Sequence, residues 1–209
     1  MHVHGLIGAT LIVSLVGGYL LGSIPFGLIA TRLGGAGDIR TVGSGNIGAT
    51  NVLRTGRRDL ALITLFGDGA KGAVAVLLAT WVISPTAGAV AGAGAFLGHL
   101  FPLLLGFRGG KGVATAFGIL LAIAWPVALA GAVVWLLVAA LTRFSSLASL
   151  ETAAIAPALL VFLHQATVPR FWLVVGMAIL IFIRHHQNIR RLIAGTEPRI
   201  GAPKASTPA

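Results

Sequence analysis

The sequence predicts an all-α integral membrane protein of about seven transmembrane helices, with the N-terminus outside and the C-terminus cytoplasmic. Three observations carry this. The chain of 209 residues is 56% hydrophobic and only 10% charged, whereas soluble domains carry about 25% charged residues. Its mean hydropathy is +0.96, which leaves too few polar side chains to cover a soluble globule and excludes a disordered chain. The apolar residues gather in runs that match a hydrocarbon core, which takes roughly 20 residues per helix.

The runs follow in order. Residues 5–30 are uncharged up to Arg32, too long for a signal-peptide core and preceded by no Lys or Arg, so they read as a retained span. Residues 60–83 form a second run, interrupted by Asp68 and Lys71, and 87–105 a third. Residues 113–141 exceed one span and carry Pro126 near the middle. They divide into 113–124, short and tilted or partial, and 126–141. Residues 147–163 and 169–183 complete the seven. One polytopic domain covers 1–200, and 201–209, rich in Pro, Ala and Ser, reads as a disordered tail. No internal repeat supports an inverted-repeat transporter.

The charge balance orients the chain. There are 15 Lys+Arg against 5 Asp+Glu, a net charge of +10. In a soluble protein this would point to nucleic acid; here the cations sit in short loops, so nucleic acid is not expected as a partner. Arg32, Arg40, Arg54, Arg57 and Arg58 lie in the first loop, Arg108 and Lys111 in the third, and Arg143 in the fifth. The tail holds Arg184, Arg190, Arg191, Arg199 and Lys204, and only Arg170 falls on the opposite side. The positive-inside rule places the odd loops and the tail in the cytoplasm. The absence of cysteine excludes disulfides, thiolate metal sites and a thioester carried on the protein.

The polar chemistry gathers on that same side. Loop one contains Gly43-Ser-Gly-Asn-Ile-Gly48, a literal G-x-G-x-x-G, but a dinucleotide site needs a strand before it, and two lipid spans flank this one. What remains is a glycine loop with Ser44, Asn46, Thr50, Asn51 and Arg54, able to offer backbone N–H groups and small polar donors to an oxyanion. Loop three, Gly106-Phe-Arg-Gly-Gly-Lys-Gly-Val-Ala-Thr115, fails as a Walker A loop at Leu105 and Gly112, yet sets Lys111 among glycines at a helix start. After the last span, His185 and Asn188 stand one helical turn apart, the histidine as proton carrier or phosphate ligand. Asp68 and Lys71 read first as a structural ion pair inside a span, and His99 as a packing histidine. Ser145, Ser146 and Ser149 either cap a helix or add phosphate donors. No metal is expected, because His185 and His186 are poorly spaced on a helix and no carboxylates accompany them.

These segments together resemble the bacterial acyl-phosphate:glycerol-3-phosphate acyltransferase family of the inner membrane, over nearly the whole chain. The resemblance rests on Gly22-Ser-Ile-Pro-Phe-Gly27, Ser44-Gly-Asn-Ile-Gly-Ala-Thr-Asn51 with Arg54, Asp68 to Gly72, and Gly98-His-Leu-Phe-Pro102. It continues through Gly109-Gly-Lys-Gly-Val-Ala-Thr115 and His185-x-x-Asn-Ile-x-Arg191 with Gly195 and Glu197. Arg108 stands where many relatives carry Lys, and Gly67 where an apolar residue commonly precedes the aspartate.

The resemblance implies transfer of an acyl group from acyl phosphate to glycerol 3-phosphate, giving 1-acyl-glycerol 3-phosphate and phosphate, the first acylation of phospholipid synthesis. It implies an active site facing the cytoplasm, membrane lipid around the chain, and a soluble enzyme supplying the acyl phosphate; no cofactor is implied. Ser44, Arg54, Lys111 and His185 are then the candidate catalytic residues. Gly45, Asn46, Gly48, Thr50, Asn51, Gly109, Gly110, Gly112, Thr115, Ser146 and Asn188 are the candidate substrate-binding residues. The base is either His185 or a phosphate oxygen of the donor, and the lack of a carboxylate base in the motifs favours the second. A transporter for an anionic metabolite is the main rival; it would put polar residues at mid-membrane depth in several spans. A lipid-binding scaffold would not need Asn46, Asn51 and Asn188 at their spacings.

Overall fold

The structure, a computed structural model, describes residues 2–201, with side chains from residue 7. The C-terminal part of the expected tail, from residue 202, lies outside the described residues. Every described regular element is helical: α1 (His2–Gly22), α2 (Phe26–Leu33), α3 (Ala49–Val52), α4 (Arg58–Val82), α5 (Pro85–Leu100), α6 (Val113–Thr142), α7 (Ser145–Phe162), α8 (Val168–Arg184) and α9 (His186–Ile193). In lipid this is the economical solution, since a helix pairs its own backbone groups.

The first apolar run is not one helix. It breaks at Ser23–Pro25, where Pro25 cannot continue the helical ladder, and resumes as the short α2. α5 opens on Ser84, whose hydroxyl accepts from Ala87 N at 3.2 Å, with Pro85 next, a pairing suited to a helix start. α1 packs on α5 through small residues: a Cβ on Gly18 would lie 2.1 Å from Ala91 O, and one on Gly22 would lie 2.0 Å from Ala95 O. Such close approach replaces the hydrophobic drive that lipid removes.

α6 corrects and explains the division at Pro126. A straight helix of its 30 residues would be about 45 Å long. Yet Lys111, before its start, and Ser146, after its end, belong to one hydrogen-bonded cluster through Asn188 and Glu197. The element therefore doubles back. The break falls at Ala124 (φ −159°, ψ 66°), just before Pro126, and no loop separates the two legs. The first leg, about 17 Å, packs beside the middle of α4, where a Cβ on Gly118 would lie 1.9 Å from Gly69 O. The second leg, about 27 Å, returns along α7, with Trp135 Nε1 donating to Ser149 Oγ at 3.1 Å.

Among the described residues, five helical stretches are long and apolar enough to cross a membrane, the first of them, Ile7–Leu33, taking in α1 and α2, or six if α8 and α9, bent by 59° at His185, count as one. The expectation of seven separates the two legs of α6. A buried apolar core of α4, α5, α6, α7 and α8 residues, among them Val76, Phe96, Ile119, Leu160 and Val174, ties the bundle together.

Candidate active site

Loop three lies on the end of α5. Gly109 N donates to Leu100 O and Gly110 N to His99 O, each at 3.1 Å. A Cβ at Gly109 would stand 2.0 Å from His99 O, and at Gly110 2.1 Å from His99 Nε2. Gly112, at φ 85°, takes the left-handed turn that starts α6. These glycines are thus demanded by close packing and turn geometry. The N–H groups of Gly109 and Gly110, expected to face phosphate, are already paired within the fold.

Lys111 projects from this platform and donates to Asn188 Oδ1. Asn188 Nδ2 donates to Glu197 Oε1 at 2.6 Å, and Ser146 Oγ donates to the same oxygen at 2.7 Å. Arg191 Nε donates to Glu197 Oε2 at 2.7 Å. One buried carboxylate, in the segment after α9, therefore orients three donors, one from α7 and two from α9. Its grip on the Asn188 amide nitrogen turns the amide oxygen toward Lys111. His185 is buried, with Nδ1 2.8 Å from Ile181 O. A carbonyl only accepts, so the ring carries its proton on Nδ1 and, in the neutral form, its lone pair on Nε2.

The electrostatics favour anions. The Lys111 amine is pushed down to about 8, above all by burial; Glu197 opposes this, and Arg191, Arg54 and Arg184 add to the lowering. Burial pushes the Glu197 carboxyl up, but hydrogen bonds from Ser146, Asn188 and Arg191 outweigh this and leave it below the usual carboxylate range. Four cations thus bear on a site whose one carboxylate already has both oxygens occupied.

Loop one is not a flexible glycine loop. It has its own apolar core of Leu28, Ile39, Ile47, Val52, Leu60 and Ala61, and Leu105 of loop three packs against it. Asn51, 3% exposed, is its staple. Its Nδ2 donates to Ile39 O, Val42 O and Asn46 O at 3.2, 2.8 and 2.8 Å. Its Oδ1 accepts from Ser44 N and Ser44 Oγ at 3.1 and 3.3 Å. Asn51 therefore shapes the loop and has no capacity left for a substrate, contrary to the role expected for it. Gly45 N donates to Val42 O, and Gly48 N to Asn46 Oδ1, both at 3.0 Å. Ser44 and Asn46 lie in the loop before α3, and Thr50 lies in α3 itself. Arg54 lies against Gly43, where a Cβ would come within 3.0 Å of Arg54 Nη1.

Lys111, Ser146, Asn188 and His185 thus come together, with Arg54 in electrostatic reach. Thr115 does not join them: it is fully buried, and its backbone and methyl group face Gly72 of α4. Its carbonyl and methyl stand at the α4–α6 contact, and its hydroxyl is buried with no hydrogen-bond partner among the described residues. Asp68 and Lys71 pair at 2.7 Å, and Lys71 also donates to Ile24 O at 2.8 Å, at the break between α1 and α2. His99 Nδ1 lies 3.6 Å from Asp68 Oδ1, beyond hydrogen-bond reach. Glu197, Arg184 and Arg191 were not among the expected site residues. The signal that could have found Glu197 is its place as the sole acidic residue in the basic C-terminal segment.

Residues 12–195 match the profile of the family described as Glycerol-3-phosphate acyltransferase. A glycerol-3-phosphate acyltransferase of Caulobacter vibrioides is 61% identical over 93% of this chain and 90% of its own length. One from Mesorhizobium japonicum is 57% identical over 92% of this chain and 97% of its own. Among solved structures, PlsY (YgiH), an integral membrane glycerol 3-phosphate acyltransferase in its glycerol 3-phosphate form, superposes with a TM-score of 0.86. It shares 38% identity, covering 91% of this chain and 96% of that one. Its lysophosphatidic acid form gives a TM-score of 0.84 at 36% identity, covering 91% and 95%.

Proposed function

The chain belongs to the glycerol-3-phosphate acyltransferase family, and we propose that the acyl donor in its reaction is an acyl phosphate, used at the cytoplasmic face of a bacterial inner membrane. The sn-1 hydroxyl oxygen of glycerol 3-phosphate bonds to the acyl carbonyl carbon. The anhydride carbon–oxygen bond breaks, the hydroxyl proton passes to a phosphate oxygen of the donor, and 1-acyl-glycerol 3-phosphate and phosphate leave.

One observation carries this reading: three segments remote in sequence converge on Lys111, Asn188 and Ser146, ringed by Arg54, Arg184 and Arg191. Such a ring fits two phosphates. A mixed anhydride is already activated and needs no covalent enzyme intermediate, which accords with a chain that has no cysteine. Lys111 and Arg54 hold phosphate, Ser44, Asn46 and Thr50 add neutral donors, and Asn188 and His185 hold the glycerol phosphate. Fixing both substrates supplies much of the rate, and the cations stabilise the leaving phosphate and the carbonyl oxyanion. The acyl chain lies among the spans and enters from lipid, and a soluble enzyme delivers the donor from the basic, cytoplasmic side.

The test is formation of 1-acyl-glycerol 3-phosphate by purified protein given acyl phosphate and glycerol 3-phosphate, with acyl thioesters as the competing donors. Acyl phosphate alone should support turnover, and Lys111→Ala should reduce it about 100- to 1000-fold. Equal turnover from a thioester would overturn the donor assignment.

A further inference from the structure

Two glycines stand immediately before Lys111, and their backbone groups point into the fold on both sides. Their N–H groups reach α5. Their carbonyls accept from Arg184: Nη2 reaches Gly109 O at 2.8 Å and Nε reaches Gly110 O at 3.1 Å. The guanidinium lies over the Phe101 ring, 5.5 Å from its centroid, which fixes the plane of the fork. On the other side of the pair the His99 ring occupies the place a Gly110 side chain would take. Arg184 is also the last residue of α8 and the neighbour of His185. Its fork therefore ties the segment that carries His185 and Asn188 to the loop that carries Lys111.

We propose that Arg184 is a positioning residue for acyl transfer, which clamps the carbonyls of Gly109 and Gly110 and so holds Lys111 in register with Asn188 and His185. This rests on the reading of Lys111 as a phosphate-holding group. Lysine cannot replace the clamp, because an ammonium is a point charge and not a planar fork.

Arg184→Lys keeps the charge and loses the fork; Arg184→Gln loses both. The charged and titratable groups facing Lys111 are Glu197 and Arg191 after α9, Arg54 from loop one, and Arg184 and His185 at the end of α8. The assay is kcat/KM against pH for each purified variant, with acyl phosphate and glycerol 3-phosphate, alongside its thermal midpoint. Both folded variants should lose about 10- to 100-fold in kcat/KM. The alkaline limb set by Lys111 should stay in place in Arg184→Lys and move to higher pH in Arg184→Gln, where one repelling charge is gone. Wild-type kcat/KM in either variant would overturn the proposal, as would an unmoved limb in Arg184→Gln. Failure of both variants to fold would overturn it too, by making Arg184 a structural residue. Undiminished turnover by Lys111→Ala is a different failure: it removes the reading of Lys111, whatever the Arg184 variants do.

Discussion

Lys111 is a cation that its own surroundings make easier to neutralise. Burial and three arginines lower its amine to about 8, and the charged form is the one that holds phosphate. The sign follows directly: as pH rises through about 8 the free enzyme loses that charge, so kcat/KM for glycerol 3-phosphate should fall on the alkaline side. Lys111→Arg should remove this limb, since a guanidinium stays protonated; a limb that persists unchanged belongs to another group. His185 is tested differently. Near-full kcat in His185→Gln is expected if the donor phosphate takes the proton, whereas total loss with intact glycerol 3-phosphate binding would make the ring the base. At this scale Lys111, His185, Asn188 and Ser146 were legible, because unusual polar residues at a membrane edge stand out against an apolar background. The roles of the glycines and Asn51 were not. A glycine that exposes its amide and one that lets a neighbour's carbonyl approach look alike in sequence. An asparagine's five hydrogen bonds become countable only when its partners, up to twelve residues away, are placed.

The helices were largely legible as elements, since α4, α5, α7 and α8 coincide with apolar runs to within a few residues, α5 excepted at its end. Their breaks were only half legible. Pro126 signalled the turn in α6, though the backbone departs at Ala124. The break between α1 and α2 was not read, although Pro25 stands at it, because apolar residues continue on both sides and the run looks like one span. Loop one, with no long apolar run, gave no sign of its own core. The α4–α6 contact depends on glycines: a Cβ on Gly118 would lie 1.9 Å from Gly69 O, and the obstacle is backbone, which cannot swing aside. Gly118→Val should therefore lower stability by about 1–3 kcal/mol, seen as a lower thermal midpoint in detergent. An unchanged midpoint would mean that the two helices part without cost.

For the whole molecule, the charge asymmetry and the fold make one statement about sidedness. Loop one, loop three and the segment after α8 meet at a single cluster, and both ends of α6 return to it. The chain has no cysteine, so a single introduced thiol reports its side without background. In sealed inner-membrane vesicles, Arg58→Cys, Arg108→Cys and Arg199→Cys should react with an impermeant reagent from the cytoplasmic side, and Thr167→Cys from the other. Labelling of position 108 and position 167 from the same side would contradict the orientation. The sequence by itself determined a helical membrane protein and the residues that crowd one face of it, because in lipid every backbone group must find its partner within a helix and charge is expelled to the edge. Only the tertiary structure decided which of those residues face a substrate and which hold the fold. A hydrogen bond is set by distance in space, and the chain had to turn back on itself at Ala124 before Lys111 and Ser146, far apart along it, could share one carboxylate.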